Sequence, residues 1–408
     1  MPRILIVTSG PLCRNPRALK EALTLGMAGY DVTVATIASH ARFEAYDEAI
    51  LVGAPFRKIS VIHIPTTRRM RTRKTLSRLY TWLARRGVRY GFQSAQAFGP
   101  AAEMRRLALA HPAELTIVHT ELGLVVGNAL LARGRHVATD IEDWHSEDLL
   151  PQERQHRPIR LLRTIERNLL NHCVYTSTTS SALADSLHAR YGGRRPAVIT
   201  NSFPLQPPPE RARSAQPPRF FWFSQTVGPG RGLELFLAAW ARTKNPSRLV
   251  LLGEPRSGYR EDLLNHIPPS HRDRVQFLPL VSPAELPTVI ASHDIGLALE
   301  QPFIVNRDLT ITNKILQYLN AGLAIVASST SGQREVIAEN PAAGILVDAH
   351  ETTAFACALD NLLLDSATLA VRQLAARHLA ETKYCWECEA PRLLALAAEA
   401  VGKPRATA

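Results

Sequence analysis

Residues 310–330, TITNKILQYLNAGLAIVASST, place a lysine at the start of a short helical pattern and an apolar run directly after it. Thr312 is suited to cap a helix over 313–320, with Ile315, Leu316 and Leu319 as its apolar side. Gly322 stops that helix, and residues 323–327 are short and apolar enough for a buried parallel strand. A helix N-terminus offers free N–H groups and a partial positive charge, which suits a phosphate. Lys314 adds a mobile cation in the first turn, and Gln317 shares its face one turn on. An ordinary αβ unit with a solvated lysine would carry the same signature. A second chemistry is offered nearer the N-terminus. His119 and Glu121 end one apolar run, and Asp140, Glu142, Asp143 and His145, in DIEDWHSED, end the next. Acids and histidines at strand ends are suited to proton transfer, although Asp143 also fits a helix cap and His145 a hydrogen-bonded loop histidine.

The 310–330 stretch resembles the donor-site segment of GT-B glycosyltransferases of the GT4 type. Asn313, Lys314, Tyr318, Ala321, Gly322, Val326, Ala327 and Ser328 carry the likeness, followed by Gly332, Glu335, Val336 and Ile337. Gln317 stands where that family has a glutamate, and Ala324 where it has a proline. Of the family's two glutamates eight positions apart neither is present, since Leu309 and Gln317 occupy the places. The resemblance extends to SQTVGPGRGLELF, where Gly230 permits close backbone approach and Arg231 takes the place of a phosphate-gripping base. It implies a donor site built from Gly230, Arg231, Thr312, Asn313, Lys314 and Gln317, with Glu300 as a further carboxylate facing the cleft. Gln317 would hold ribose hydroxyls through an amide. His119, Glu121, Asp143 and His145 become the catalytic candidates of the first half, and Gly10 part of its cleft loop. The implied reaction is sugar transfer from a nucleotide sugar to a lipid-linked or polysaccharide acceptor, with retention at the anomeric carbon and with neither metal nor cofactor. A GT-B nucleotide-sugar epimerase and a catalytically weakened partner subunit are the alternatives.

Five cysteines in 408 residues argue against a disulfide framework and fit a reducing cytoplasm, and the Cys385–Cys388 pair lacks a second pair at zinc spacing. The N-terminus reads as a first strand rather than a signal peptide, and no apolar run suggests a membrane span. The formal charge of +12 is unevenly spread: Asp and Glu are absent between Ala49 and Ala102. Within that span Arg68, Arg69, Arg71, Arg73, Lys74, Arg78, Arg85, Arg86 and Arg89 alternate with Leu76, Leu79, Tyr80, Trp82 and Leu83. Such a segment suits the surface of an anionic membrane, with Arg69, Arg71, Arg73, Lys74 and Trp82 as docking residues. Nucleic-acid contact and a solvated basic loop are the competing readings, the first of which is set aside.

To hold these residues the chain must alternate strands and helices. Strands are expected at 3–8, 31–36, 58–64, 116–119, 135–139, 173–177 and 197–200, with helices over 16–27, 92–110, 121–132, 159–170 and 180–191. Asn15 is expected to cap a helix with Pro16 at its first position. Proline-rich residues 202–218 form a linker. Alternation then restarts, with strands at 219–223, 249–252, 275–278, 295–299, 323–327 and 345–347. The expected organisation is α/β with two doubly wound, Rossmann-like domains of the GT-B kind. The acceptor-side domain is 1–201, the donor domain 219–384, and 385–408 a closing helix that crosses back. The expected location is the cytoplasmic side of the plasma membrane, bound peripherally.

Overall fold

The computed structural model describes residues 1–38, 40–62, 68–208, 217–348 and 350–402, apart from the side chains of Arg69 and Pro151. Part of the proline-rich segment, 209–216, lies outside these residues. The chain divides into two compact units: Met1–Ile199 together with the chain from Ala390 onward, and Thr200–Glu389.

The first unit is a seven-stranded sheet made of β1 (Arg3–Val7), β2 (Asp31–Ile37), β3 (Phe56–Val61), β4 (Leu115–Val118), β5 (Val137–Ile141), β6 (Thr176–Thr178) and β7 (Ala197–Val198). Its order is β3-β2-β1-β4-β5-β6-β7, and every pair is parallel. The second sheet holds β8 (Arg219–Val227), β9 (Arg248–Pro255), β10 (Val275–Leu278), β11 (Ile295–Ala298), β12 (Ala324–Ser328) and β13 (Gly344–Val347). It runs β10-β9-β8-β11-β12-β13, again parallel throughout. Strands buried on both faces need continuous apolar runs, and β8 shows how they are used. Phe220 and Trp222 enter one core and Phe221 the opposite one, because successive side chains leave a strand on opposite sides.

Two local expectations are corrected, and one helix is added. The helix expected over 92–110 is broken into a 3₁₀ turn, Ala95–Phe98, and a helix, Ala101–Ala110, with Gly99 at φ 124° and Pro100 between them. Asn15 occupies the N-cap position but makes no capping bond; its amide donates instead to Ser9 O and Pro11 O at 3.0 and 2.7 Å, tying the loop after β1. The helix Ala41–Leu51 was not foreseen, because it is fixed by polar contacts rather than by an apolar face. Its one buried residue is Asp47, which accepts from Leu12 N, Cys13 N and Lys58 Nζ at 2.9, 2.7 and 2.6 Å.

The basic segment is a helix, Arg68–Gly87. Leu76, Leu79, Tyr80, Trp82 and Leu83 are all exposed on it, and Arg86 lies 5.5 Å from the Trp82 ring centre. Arg85 anchors the helix by donating to Ala97 O at 2.8 Å. Among the described residues no single helix is long and apolar enough to cross a membrane.

The second unit closes on itself. Phe203 bridges to Cys385, Trp386 N donates to Phe203 O at 3.0 Å, and Thr200 Oγ1 donates to Glu389 Oε1 at 2.7 Å. Cys385 and Cys388 are free thiols with Sγ atoms 3.4 Å apart.

The helix Asn313–Asn320 is pressed onto β11 at Gly296. A Cβ built there would stand 2.3 Å from Tyr318 Cγ, and Tyr318 Oη donates to Leu297 O at 3.3 Å. Gly296→Ala should therefore overpack this core and lower stability by about 1–3 kcal/mol. A urea midpoint equal to that of the wild type would show that the helix can move aside without cost.

Candidate functional site

In the second unit the strand order reverses between β8 and β11, and the loops leaving those strands diverge there. The loop after β8 carries Gly230 and Gly232, both left-handed at φ 73° and 76°. Gly232 also has no room for a side chain, since its Cβ would lie 2.6 Å from Leu299 O. The turn bearing the half-buried Arg231 is thus packed against the end of β11, where Glu300 follows. From the other side, Lys314 in the first turn of the helix Asn313–Asn320 reaches the same carboxylate, with Nζ 2.7 Å from Glu300 Oε1. Its ammonium also lies 5.6 Å from the centre of the buried Trp222 ring, a cation–π geometry.

Lys314 is therefore held rather than mobile, and Glu300 is a buried carboxylate rather than a solvated one. Burial pushes Glu300 up, but the charge and hydrogen bond of Lys314, with the charges of Arg231 and Arg307, hold it below the usual carboxylate value. Arg307 was not anticipated. It lies on the short helix Val305–Leu309, whose five residues are too few to show a helical apolar period. Thr312 sits at the N-cap position without a capping bond, and its Oγ1 is buried with no partner. Asn313 is exposed and its Oδ1 accepts from Asn201 Nδ2 at 3.0 Å. Gln317 is half-buried. The structure thus brings Arg231, Glu300 and Lys314 together beside the N-terminus of the helix Asn313–Asn320.

The first unit reverses its order between β1 and β4. Gly10, left-handed at φ 79°, turns the loop after β1. Ser9 N donates to Thr120 Oγ1 at 3.1 Å, tying this loop to the one after β4. Thr120 itself is left-handed at φ 62°, a conformation that costs a β-branched residue about 1–2 kcal/mol. That strain sets His119 and Glu121 in opposite surroundings. Glu121 turns to Arg157 in an ion pair near the surface. His119 turns inward, only 3% exposed, with Nε2 3.1 Å from Glu21 Oε2 and Nδ1 3.3 Å from Asp140 Oδ2.

A buried ionic network surrounds that imidazole. Arg17 grips Asp140 through Nε and Nη2 at 2.9 and 2.8 Å, lies 3.3 Å from Glu21, and donates to Ile199 O at 2.7 Å. Ser177 Oγ donates to Asp140 at 2.6 Å. Burial alone would lower the pKa of His119, but Glu21 and Asp140 outweigh it and raise it to about 10. Arg17 and a protonated His119 then balance Glu21 and Asp140. The trio Glu21, His119 and Asp140 is close enough to chelate an ion, yet its charges are already matched, so a dication there would face Arg17 unopposed. Beside the network, burial and the charge of Arg17 push Lys20 down to about 7. Burial and the charge of Asp143 push the half-buried Glu142 up to about 7. Both groups therefore change charge near neutrality. Asp143 is half-buried in the same loop, and His145 opens the 3₁₀ turn that follows, with Nε2 buried and without a hydrogen-bond partner.

Three solved structures are similar over almost the whole chain. HepE from Anabaena, solved with UDP and glucose, is 19% identical at a TM-score of 0.68, covering 98% of this chain and 100% of its own. TarM of S. aureus, solved as a variant with fondaparinux, alpha-GlcNAc-glycerol and UDP, is 9% identical at 0.68, covering 99% and 100%. WaaG, a glycosyltransferase involved in lipopolysaccharide biosynthesis, is 14% identical at 0.59, covering 97% and 99%. No curated protein matches the chain. At these identities the likeness is one of fold, and the fold is GT-B, with two Rossmann-like domains. Residues 217–365, all within the second unit, match the family described as Glycosyl transferases group 1.

The His119 network makes stability depend on pH. Its folded pKa is raised, so its contribution is complete below about 6.5, the unfolded value, and is lost as pH rises toward about 10. Replacing His119 by Gln should cost about 3–5 kcal/mol at neutral pH, because Glu21 and Asp140 then face Arg17 alone. The gap between wild type and His119→Gln should narrow from pH 7 to 10. A constant gap in urea midpoints would place the imidazole outside the network.

Proposed function

We propose that this enzyme is a retaining glycosyltransferase that moves a sugar from a nucleotide-sugar donor to a glycan or lipid-linked acceptor in surface-glycan synthesis. The observation that carries the reading is the gathering of Arg231 and Lys314, with the charge of Arg307, at the strand reversal of the group 1 domain. A departing nucleoside diphosphate develops charge where these cations and the N-terminus of Asn313–Asn320 are aimed, which stabilises the leaving group. The retained diphosphate then takes the proton of the incoming hydroxyl on the same face. Gln317 offers an amide to the ribose hydroxyls. In the first unit, Glu121, Asp143 and His145 are the groups assigned to the acceptor side, and His119, with both ring nitrogens engaged, is a positioning residue. In this reading the reaction runs without a metal or other cofactor; among the described residues the chelating trio Glu21, His119 and Asp140 is balanced by Arg17. UDP in the HepE and TarM structures and the role of WaaG in lipopolysaccharide biosynthesis support a nucleotide donor and a glycan acceptor.

A donor screen by calorimetry with UDP-, GDP- and TDP-sugars tests the donor site. For whichever donor binds, Arg231→Ala should weaken affinity by about 1.5–3 kcal/mol, the loss of one charge-assisted phosphate contact. Lys314→Ala should do the same and also lower the melting temperature, because Glu300 stays buried without its partner. The double variant should lose less than the sum, since both residues hold one group. Full affinity in Arg231→Ala would remove the loop after β8 from the site.

The helix Arg68–Gly87 is assigned to the cytoplasmic face of the plasma membrane as a peripheral dock. Its basic residues meet anionic headgroups while Tyr80 and Trp82 sit at headgroup depth. The protein should sediment with anionic but not neutral vesicles and be released by about 0.5 M salt. Changing Arg69, Arg71, Arg73 and Lys74 to Gln should abolish this and spare donor binding. Equal sedimentation with both vesicle types would overturn the assignment.

A further inference from the structure

Glu300 is the acid in a cluster otherwise composed of cations. Glu300 is 8% exposed; its carboxylate lies 2.7 Å from the Lys314 ammonium and sits beside the turn that carries Arg231. A ribose clamp would need the carboxylate to point at hydroxyls rather than at the phosphate-binding cation. The lysine of this buried pair stands in the first turn of a helix, and the charges of two guanidinium groups, Arg231 and Arg307, also act on Glu300. With Arg231, Arg307 and Lys314 on one side and Glu300 on the other, the cluster carries a net charge of three minus one, or +2. That matches the two negative charges of a nucleotide sugar's diphosphate.

We propose that Glu300 is an internal competitor for the donor's diphosphate: it holds Lys314 in place over Trp222 and yields it when the phosphates arrive. The idea rests on the donor reading above. Its physical content is a trade. The carboxylate keeps a nearly buried lysine ordered, so little side-chain freedom is lost on binding. In exchange, every incoming diphosphate must displace a charge-assisted hydrogen bond. Binding is thereby held back, which keeps the product nucleoside diphosphate from lingering. Glu300 acts through Lys314 and is a positioning residue.

The test compares Glu300→Gln with wild type by calorimetry, using UDP, GDP and TDP and the corresponding nucleosides uridine, guanosine and thymidine. A glutamine keeps the shape and an acceptor oxygen for Lys314 but removes the competing charge. The diphosphate that binds wild type should bind Glu300→Gln about tenfold tighter, or 1.4 kcal/mol, while its nucleoside binds equally to both. Glu300→Asp, whose shorter reach loosens the contact but keeps the charge, should gain less, and it serves as the readout if the glutamine variant does not fold. Weaker binding of both diphosphate and nucleoside to the variant would make Glu300 a ribose clamp and overturn the proposal. Unchanged binding of both would place Glu300 outside the competition and overturn it equally. Failure of all three diphosphates to bind wild type would instead overturn the donor reading, and this inference with it.

Discussion

A parallel sheet whose strand order reverses must leave one place where neighbouring strands send their connections in opposite directions. Everything chemical in this chain hangs on that constraint. Between β1 and β4, and again between β8 and β11, no connection crosses the strand ends, so loops and helix N-termini open there without covering one another. The core beneath is rigid and apolar on both faces, and it fixes the loops to within the reach of a side chain. Gly296 and Gly232 show how tightly: each admits a neighbour where any side chain would collide.

The two reversals are filled differently. In the first unit the charges are matched, Arg17 and His119 against Glu21 and Asp140, and all are almost wholly buried. Such a network stabilises little against an apolar core of the same volume, but it is costly to break, so it defines one arrangement of the loops around it. In the second unit the charges are mismatched in favour of the cations. One end is therefore self-sufficient, while the other is electrostatically suited to an anion. The same backbone topology yields a rigid platform in one half and a charged receptor in the other.

Most of this architecture is legible in the sequence because buried parallel strands need continuous apolar runs. The helix Asn313–Asn320 is legible from its apolar side, Ile315, Leu316 and Leu319, and from its Gly322 stop. What escaped is what depends on distant partners. Nothing near Arg17 announces that its guanidinium meets an aspartate 123 positions away, nor near Glu21 that a histidine lies 98 away. A sequence shows that three charged residues share the buried face of Pro16–Met27, against the usual apolar pattern, and that oddity was the available clue. The Lys314–Glu300 contact is closer in sequence, yet it depends on where two separate connections land. Backbone strain at Thr120 has no signature in a threonine. The helix Ala41–Leu51 lacks the periodicity by which helices are read, since its anchor is an aspartate.

The way the second unit is closed has a wider meaning. Its first and last residues are stitched to each other, through Thr200 and Glu389 and through Phe203 and Cys385. The first unit resumes at Ala390, so in topology the second is an insertion into a host that is already a complete sheet. Inserts whose ends meet can be exchanged with little disturbance to the host. The seam between Ile199 and Ala390 is thus a natural graft point, where one unit can be replaced while the sheet of the other stays whole.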